Sequence, residues 1–181
     1  MLYKKGLSAV IATVLLVLLT IAAGGIIANF VVPFVKDSLS GTECVKFRDY
    51  FKFEEDFEYN CYDDNGLHGV SIKVVDNSDA DKVKGFDLIF KKEDSAKKVS
   101  VRNGNIESCS AGEISILGGT CLDVIEIPGA GSYYVVTYIY NSSGGDYKKA
   151  EIYAVIENDD VCELSDSIKL IPCGPGINLT G

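Results

Sequence analysis

Six cysteines carry the most specific chemistry in the 181-residue sequence: Cys44, Cys61, Cys109, Cys121, Cys162 and Cys173. The count is even, and an even set in an exported chain reads as a disulfide framework. A metal site is the weaker reading: no Cys-x-x-Cys pair occurs, and the single histidine, His68, has no ligand partner at metal spacing. Sequential pairing is the expectation, with Cys44 to Cys61, Cys109 to Cys121 and Cys162 to Cys173. Each pair closes a short loop, contributing roughly 3 kcal/mol in the chain-entropy picture; other connectivities stay open. Two N-x-Ser/Thr sequons, Asn141-Ser142-Ser143 and Asn178-Leu179-Thr180, stand in turn or terminal contexts. They read as glycan acceptors or as chance occurrences.

Other polar groupings are less specific. Asp76, Asn77, Ser78, Asp79 and Asp81 have the composition of a hard-cation loop. An EF-hand needs Gly at its sixth position and Glu at its twelfth. Those positions hold Asp81 and Asp87, so a solvated turn is expected, as it is for Glu157 to Asp160. Asp63-Asp64-Asn65-Gly66 is a turn signal. His68 reads as a loop or surface residue rather than the centre of a Ser-His-Asp site. No Gly-rich loop leads into a helix, and no carboxylate pair stands out as a glycosidase couple. The expectation is no catalytic residue, no cofactor and no metal.

Behind these residues stand two regions of different character. Lys and Arg number 17 against 26 Asp and Glu, a formal net charge of -9. So acidic a chain has no broad attraction for nucleic acid or anionic lipid. Hydrophobic residues make up 47%, which excludes a wholly disordered chain. The length suits one domain plus a tail or anchor.

The N-terminus opens with Lys4-Lys5 and runs uncharged for 29 residues, from Leu7 to Val35. As a helix this run would reach roughly 43 Å, more than a bilayer core needs. Three readings compete. A secretory signal peptide would be cut near Ala22-Ala23-Gly24. A permanent single-pass anchor would keep the segment. A leader cut before the apolar run would keep the whole helix in the mature chain. The Lys4-Lys5 pair ahead of the run, with no basic cluster of comparable position behind it, places the remainder outside the cell.

Lys4-Lys5-Gly6 followed by LSAVIATVLLVLLTIAAG resembles the class III signal peptide of archaeal type IV pilins. The likeness covers about the first 40 residues. It implies cleavage by a prepilin peptidase between Gly6 and Leu7. The fifth mature position is Ile11 rather than the Glu of bacterial pilins, and Ser8 to Thr13 is similar to archaeal pilin helices. Archaellins share the leader type. The resemblance implies a chain that resides in the membrane and then assembles with the pilus machinery into a helical homopolymer. Ala22, Ala23, Gly24, Gly25 and Ala28 would let such helices approach closely. Pro33 is a kink point, and Asp37 to Gly41 reads as a neck.

From about residue 42 the hydrophobic period falls to two. Val70, Ile72 and Val74 alternate, as do Phe86, Leu88 and Phe90. Val99 and Val101, then Ile114 and Ile116, continue the pattern. Tyr134, Val136, Tyr138 and Tyr140 share a face, as do Ala150, Ile152, Ala154 and Ile156. Residues 141–146 between those last two read as a hairpin loop. Tyrosines left exposed would suit adhesion.

The expected class is α+β: a long N-terminal apolar helix, then a mainly antiparallel β domain of eight or nine strands, as a sandwich or small barrel. The expected organisation is a leader at 1–6, helix and neck at 7–41, and an extracytoplasmic domain at 42–181. The expected function is a structural subunit of an archaeal type IV pilus-like filament for adhesion or cell contact, on the cell surface. The alternative is a membrane-anchored extracytoplasmic module that binds a saccharide or peptide.

Overall fold

The computed structural model describes residues 9–27, 44–75, 79–105, 110, 112–120, 124–129 and 134–180. The chain divides into two units, Met1–Thr42 and Glu43–Gly181.

In the first unit Ala9–Ile26 forms α1, a helix of 18 residues. Leucine and alanine favour it, while Gly24 and Gly25 weaken its last turn. Neither end carries a charge that would complement the helix dipole. Eighteen residues rise about 27 Å, short of the ~30 Å hydrocarbon core. Among the described residues no helix is long and apolar enough to cross a membrane. The α+β class with a long apolar helix is therefore corrected. The structure is mostly β, with about 44% of it in strands and one short helix. The reason is that an uncharged run marks what avoids water, but does not say where a helix stops.

The second unit contains ten strands among the described residues. In order they are β1 (Phe51–Phe53), β2 (Cys61–Tyr62), β3 (Leu67–Val74), β4 (Val83–Lys92) and β5 (Ser95–Arg102). There follow β6 (Ile114–Ile116), β7 (Val135–Asn141), β8 (Lys149–Ile156), β9 (Val161–Lys169) and β10 (Ile171–Pro172). One sheet has the order β10-β2-β3-β7-β6, with β1 also paired to β3; the other has the order β5-β4-β8-β9. Only β10 and β2 pair in parallel.

The alternating residues of β3, β4, β7 and β8 meet in one core between the sheets. Val70, Ile72, Phe86, Leu88, Phe90, Tyr138 and Ile152 are fully buried there. Ring contacts join the layers: Phe86 with Tyr138 at 5.2 Å, and Phe90 stacked on Tyr140 at 4.7 Å. Such pairs add about 0.5–1.5 kcal/mol beyond burial. The Tyr138 hydroxyl is satisfied by donating to the Glu126 carbonyl.

A second correction concerns residues 141–146. They do not close a hairpin. β7 belongs to the first sheet and β8 to the second, so this connection carries the chain across the core. Alternation identifies the inward face of each strand, but a hairpin and a crossover have the same alternation. The crossover is tight. Gly66, at φ +85°, lies so near the Gly144 backbone that a Cβ there would approach its nitrogen to 2.3 Å. Ser142 donates its N–H and its hydroxyl to the Gly66 carbonyl, at 2.9 and 2.7 Å.

Candidate functional site

Helix α1 leaves its apolar surface uncovered. Ile11, Val14, Leu15, Leu16, Val17, Leu18, Leu19, Ile21 and Ile26 are all more than half exposed, and together they surround the helix axis. The Thr20 hydroxyl donates to the Val17 carbonyl, so its polarity is spent within the helix. A Cβ at Gly24 or Gly25 would meet nothing. A helix apolar on every side requires an apolar surrounding.

The β unit has the opposite habit of burying polar groups with partners. His68 is completely buried on β3, on the same inward face as Val70. The expectation of a loop or surface position is corrected. The signal was present, since His68 extends the alternation of Val70, Ile72 and Val74 by one step. Tyr62, Phe90, Tyr140 and Tyr147 surround its ring at 5.5 to 6.1 Å. Nδ1 lies 3.1 Å from the Gly66 carbonyl oxygen, and Nε2 accepts the Tyr147 N–H at 3.1 Å. These partners assign the proton to Nδ1 and leave the ring neutral. Burial pushes its pKa below 6.5, outweighing the Gly66 carbonyl and the Asp63 and Asp146 charges that favour protonation.

Two buried carboxylates sit on the outward face of the second sheet. Asp87 on β4 meets Lys98 Nζ at 2.5 Å and Arg102 Nη2 at 3.0 Å. Burial would raise its pKa; Lys98, Ser100 and Arg102 more than offset that and hold it low. Glu151 on β8 meets Lys91 Nζ at 2.7 Å and Lys149 Nζ at 2.9 Å, and accepts the Tyr153 hydroxyl at 2.7 Å. Against burial, these partners bring its pKa down to about 2. Burial, then the Glu151 carboxylate, push Tyr153 up to about 12. Neither carboxylate was singled out from sequence. Their signal was a charge alternating with core residues, with basic residues diagonal to it: Lys98 and Arg102 on either side of Ser100, which pairs with Asp87, and Lys91 two residues beyond Ile89, which pairs with Glu151. Lys and Arg stems lying over the sheet bury such a charge.

None of these three groups offers a free base to a substrate, since each is occupied by partners within the fold. Among the described residues an open groove of about 310 Å³ is lined by Lys92, Glu93, Asp94, Asp146 and Lys148. Lys92 Nζ lies 5.7 Å from the centre of the Tyr147 ring beside it. Among the described residues no His, Cys, Asp and Glu cluster suited to a metal ion occurs.

The cysteines are paired across long stretches of chain. Cys44 bonds Cys162 and Cys61 bonds Cys173, at separations of 118 and 112 residues. This overturns the sequential pairing for four cysteines. The short-loop argument ignored tertiary proximity. The segment ahead of β1 runs beside β9, where Ser165 donates to the Phe47 carbonyl, and β2 pairs with β10. Closing a loop of about 100 residues contributes roughly 4.7 kcal/mol, more than a short one. Cys109 and Cys121 lie outside the described residues, as do Lys4, Lys5, Gly6, Leu7, Asp76, Asn77, Ser78, Ala28, Pro33 and residues 37–41. Asn141 is half-buried at the end of β7, whereas Asn178 is exposed. Tyr134 is exposed as well.

No family model matches the chain, and no curated protein matches it in sequence. The two disulfides among the described residues fit an oxidising environment, that of a secreted or cell-surface protein.

Proposed function

We propose that the chain is a structural subunit of an archaeal type IV pilus-like surface filament, assembled through its N-terminal helix and catalysing no reaction. The observation that carries this reading is the uncovered apolar surface of α1, which extends around the whole helix. Full burial of a large apolar side chain is worth about 1.5–3 kcal/mol. The nine large side chains of α1 whose exposure is described are already partly shielded, so covering them gains on the order of 10 kcal/mol. Association itself costs about 4–15 kcal/mol. Contact along one face recovers only a fraction of that gain, whereas several neighbouring helices around α1 recover all of it. A shared core of like helices is the arrangement that covers every side. The acidic β domains then stand at larger radius, where their mutual repulsion is screened by salt. In this reading the leader is removed between Gly6 and Leu7, the chain is held at the membrane before assembly, and the filament serves adhesion or cell contact.

The test is expression of the chain with a prepilin peptidase, followed by N-terminal mass analysis and electron microscopy. A mature chain beginning at Leu7 and visible filaments are expected. A chain beginning near Gly25, or dispersed monomers, overturns the reading. The groove beside Tyr147 favours the second reading, an anchored module binding a saccharide or peptide. Saturable binding by unassembled chain, lost in Asp146→Ala, would select it.

A further inference from the structure

We infer that Asn178, and not Asn141, is the acceptor of an N-linked glycan on the folded β domain. The inference rests on the exported reading of that domain. Both residues begin a sequon, but their surroundings differ. Asn141 is the last residue of β7 and is half-buried. Its backbone is held on both sides, with its N–H donating to the Glu113 carbonyl and its C=O accepting from Gly112. The next residue, Ser142, is tied to the Gly66 and Gly145 carbonyls, and Ser143 takes a left-handed φ of 54°. A transferase must lay the acceptor segment into its own site, which here would mean pulling a strand end out of the sheet.

Asn178 stands outside any strand, between Ile177 and Leu179, which both pack inward. Leu179 is buried in the small cluster with Cys61 and Ile139. It rests against Gly69, where a Cβ would come within 3.0 Å of its Cδ2. Asn178 and Thr180, on either side of it, both point outward and are exposed. Asn178 Oδ1 accepts the Thr180 N–H at 2.9 Å and the Thr180 hydroxyl at 2.5 Å. The amide oxygen is thus engaged by the sequon's own third residue, as the Asn141 oxygen is by the Ser143 N–H at 3.1 Å, so what separates the two sites is exposure and strand membership. Nδ2 is the atom that reacts. It forms a bond to the anomeric carbon of a lipid-linked saccharide, the bond from that carbon to the polyprenyl phosphate or diphosphate oxygen breaks, and the leaving group keeps the electron pair. The amide proton passes to a base of the transferase.

The test uses the full-length, oxidised chain incubated with membranes carrying an oligosaccharyltransferase and its lipid-linked donor, read by glycopeptide mass spectrometry. The expected result is added mass on the peptide containing Asn178 and none on that containing Asn141. Thr180→Ala should lower occupancy at least tenfold, Thr180→Ser should restore most of it, and Asn141→Gln should change nothing. A thermal melt of each variant confirms that the domain is folded. A bare Asn178, equal occupancy at Asn141, or undiminished occupancy in folded Thr180→Ala overturns the inference. This acceptor assay does not depend on filament formation, so it fails independently of the pilus reading.

Discussion

Helix α1 and strand β8 are both built largely of aliphatic residues, yet they meet water in opposite ways. In β8, Ala150, Ile152, Ala154 and Ile156 turn inward and are buried by the facing sheet, while Glu151 turns outward onto lysines. In α1 no such division exists, and Leu16 and Leu19 stand 66% and 71% exposed. A strand needs only one partner layer, because its period of two separates apolar from polar. A helix apolar on every side has no polar face to give to solvent, and a single partner cannot cover it. The β unit therefore covers its own apolar faces, and α1 leaves its apolar surface exposed.

The largest expected effect breaks the helix half of this contrast. Leu16→Asp places a charge on an apolar surface that offers it no counter-ion. Filaments should disappear from electron micrographs, while the melting of the β domain stays unchanged. Intact filaments would mean that α1 is not the assembly surface.

Next in size is the removal of one long-range disulfide. Cys61→Ser with Cys173→Ser should destabilise the β unit by about 4–5 kcal/mol, read as a lower urea midpoint. Filaments formed from the variant at low temperature should still be seen, because the loss falls on the other region. A cost near 1 kcal/mol would show that the native fold holds those ends together without the bond.

A smaller effect probes the paired charges. Glu151→Gln should cost roughly 2 kcal/mol at neutral pH, with allowance for the half-exposed lysine partners. The folded pKa of Glu151 is about 2 against an ordinary 4.5. Its contribution is thus present above pH 4.5 and lost as pH falls from there towards 2. Urea midpoints measured between pH 7 and 2.5 should fall less steeply in the variant than in the parent chain. An unchanged acid slope would assign that loss to Asp87 and the remaining carboxylates.

Smallest is the histidine term. The folded pKa of His68 lies below 6.5, so the unfolded chain binds the extra proton first. Stability should be full above pH 6.5 and decline as pH drops below it, because a second ring proton would confront the Tyr147 N–H. Asp63 and Asp146 soften the decline, and burial pushes the Tyr140 hydroxyl above its ordinary pKa, so it takes no part in this range. His68→Gln should cost about 1 kcal/mol at pH 8 and flatten the slope between pH 6.5 and 5. A parent chain of constant stability across that interval would contradict the buried neutral ring.

Much of the local order was legible in the residues alone. The alternations at Val70 to Val74, Phe86 to Phe90 and Ala150 to Ile156 name the inward faces that the structure buries. Asp63 to Gly66 forms its turn, with Asp63 Oδ1 accepting the N–H groups of Asn65 and Leu67 at 3.0 and 2.7 Å. These features depend on neighbours a few residues apart, so side-chain size, charge and backbone preference are enough to specify them. An unbroken apolar run contains no stop signal other than Gly24-Gly25, so the run alone sets no bound for α1. Which sheet receives β8, which cysteine meets Cys44, and whether His68, Asp87 and Glu151 lie inside were decided only by tertiary structure. Each of these depends on a partner far along the chain, and that proximity arises when two sheets close over one core to remove apolar surface from water.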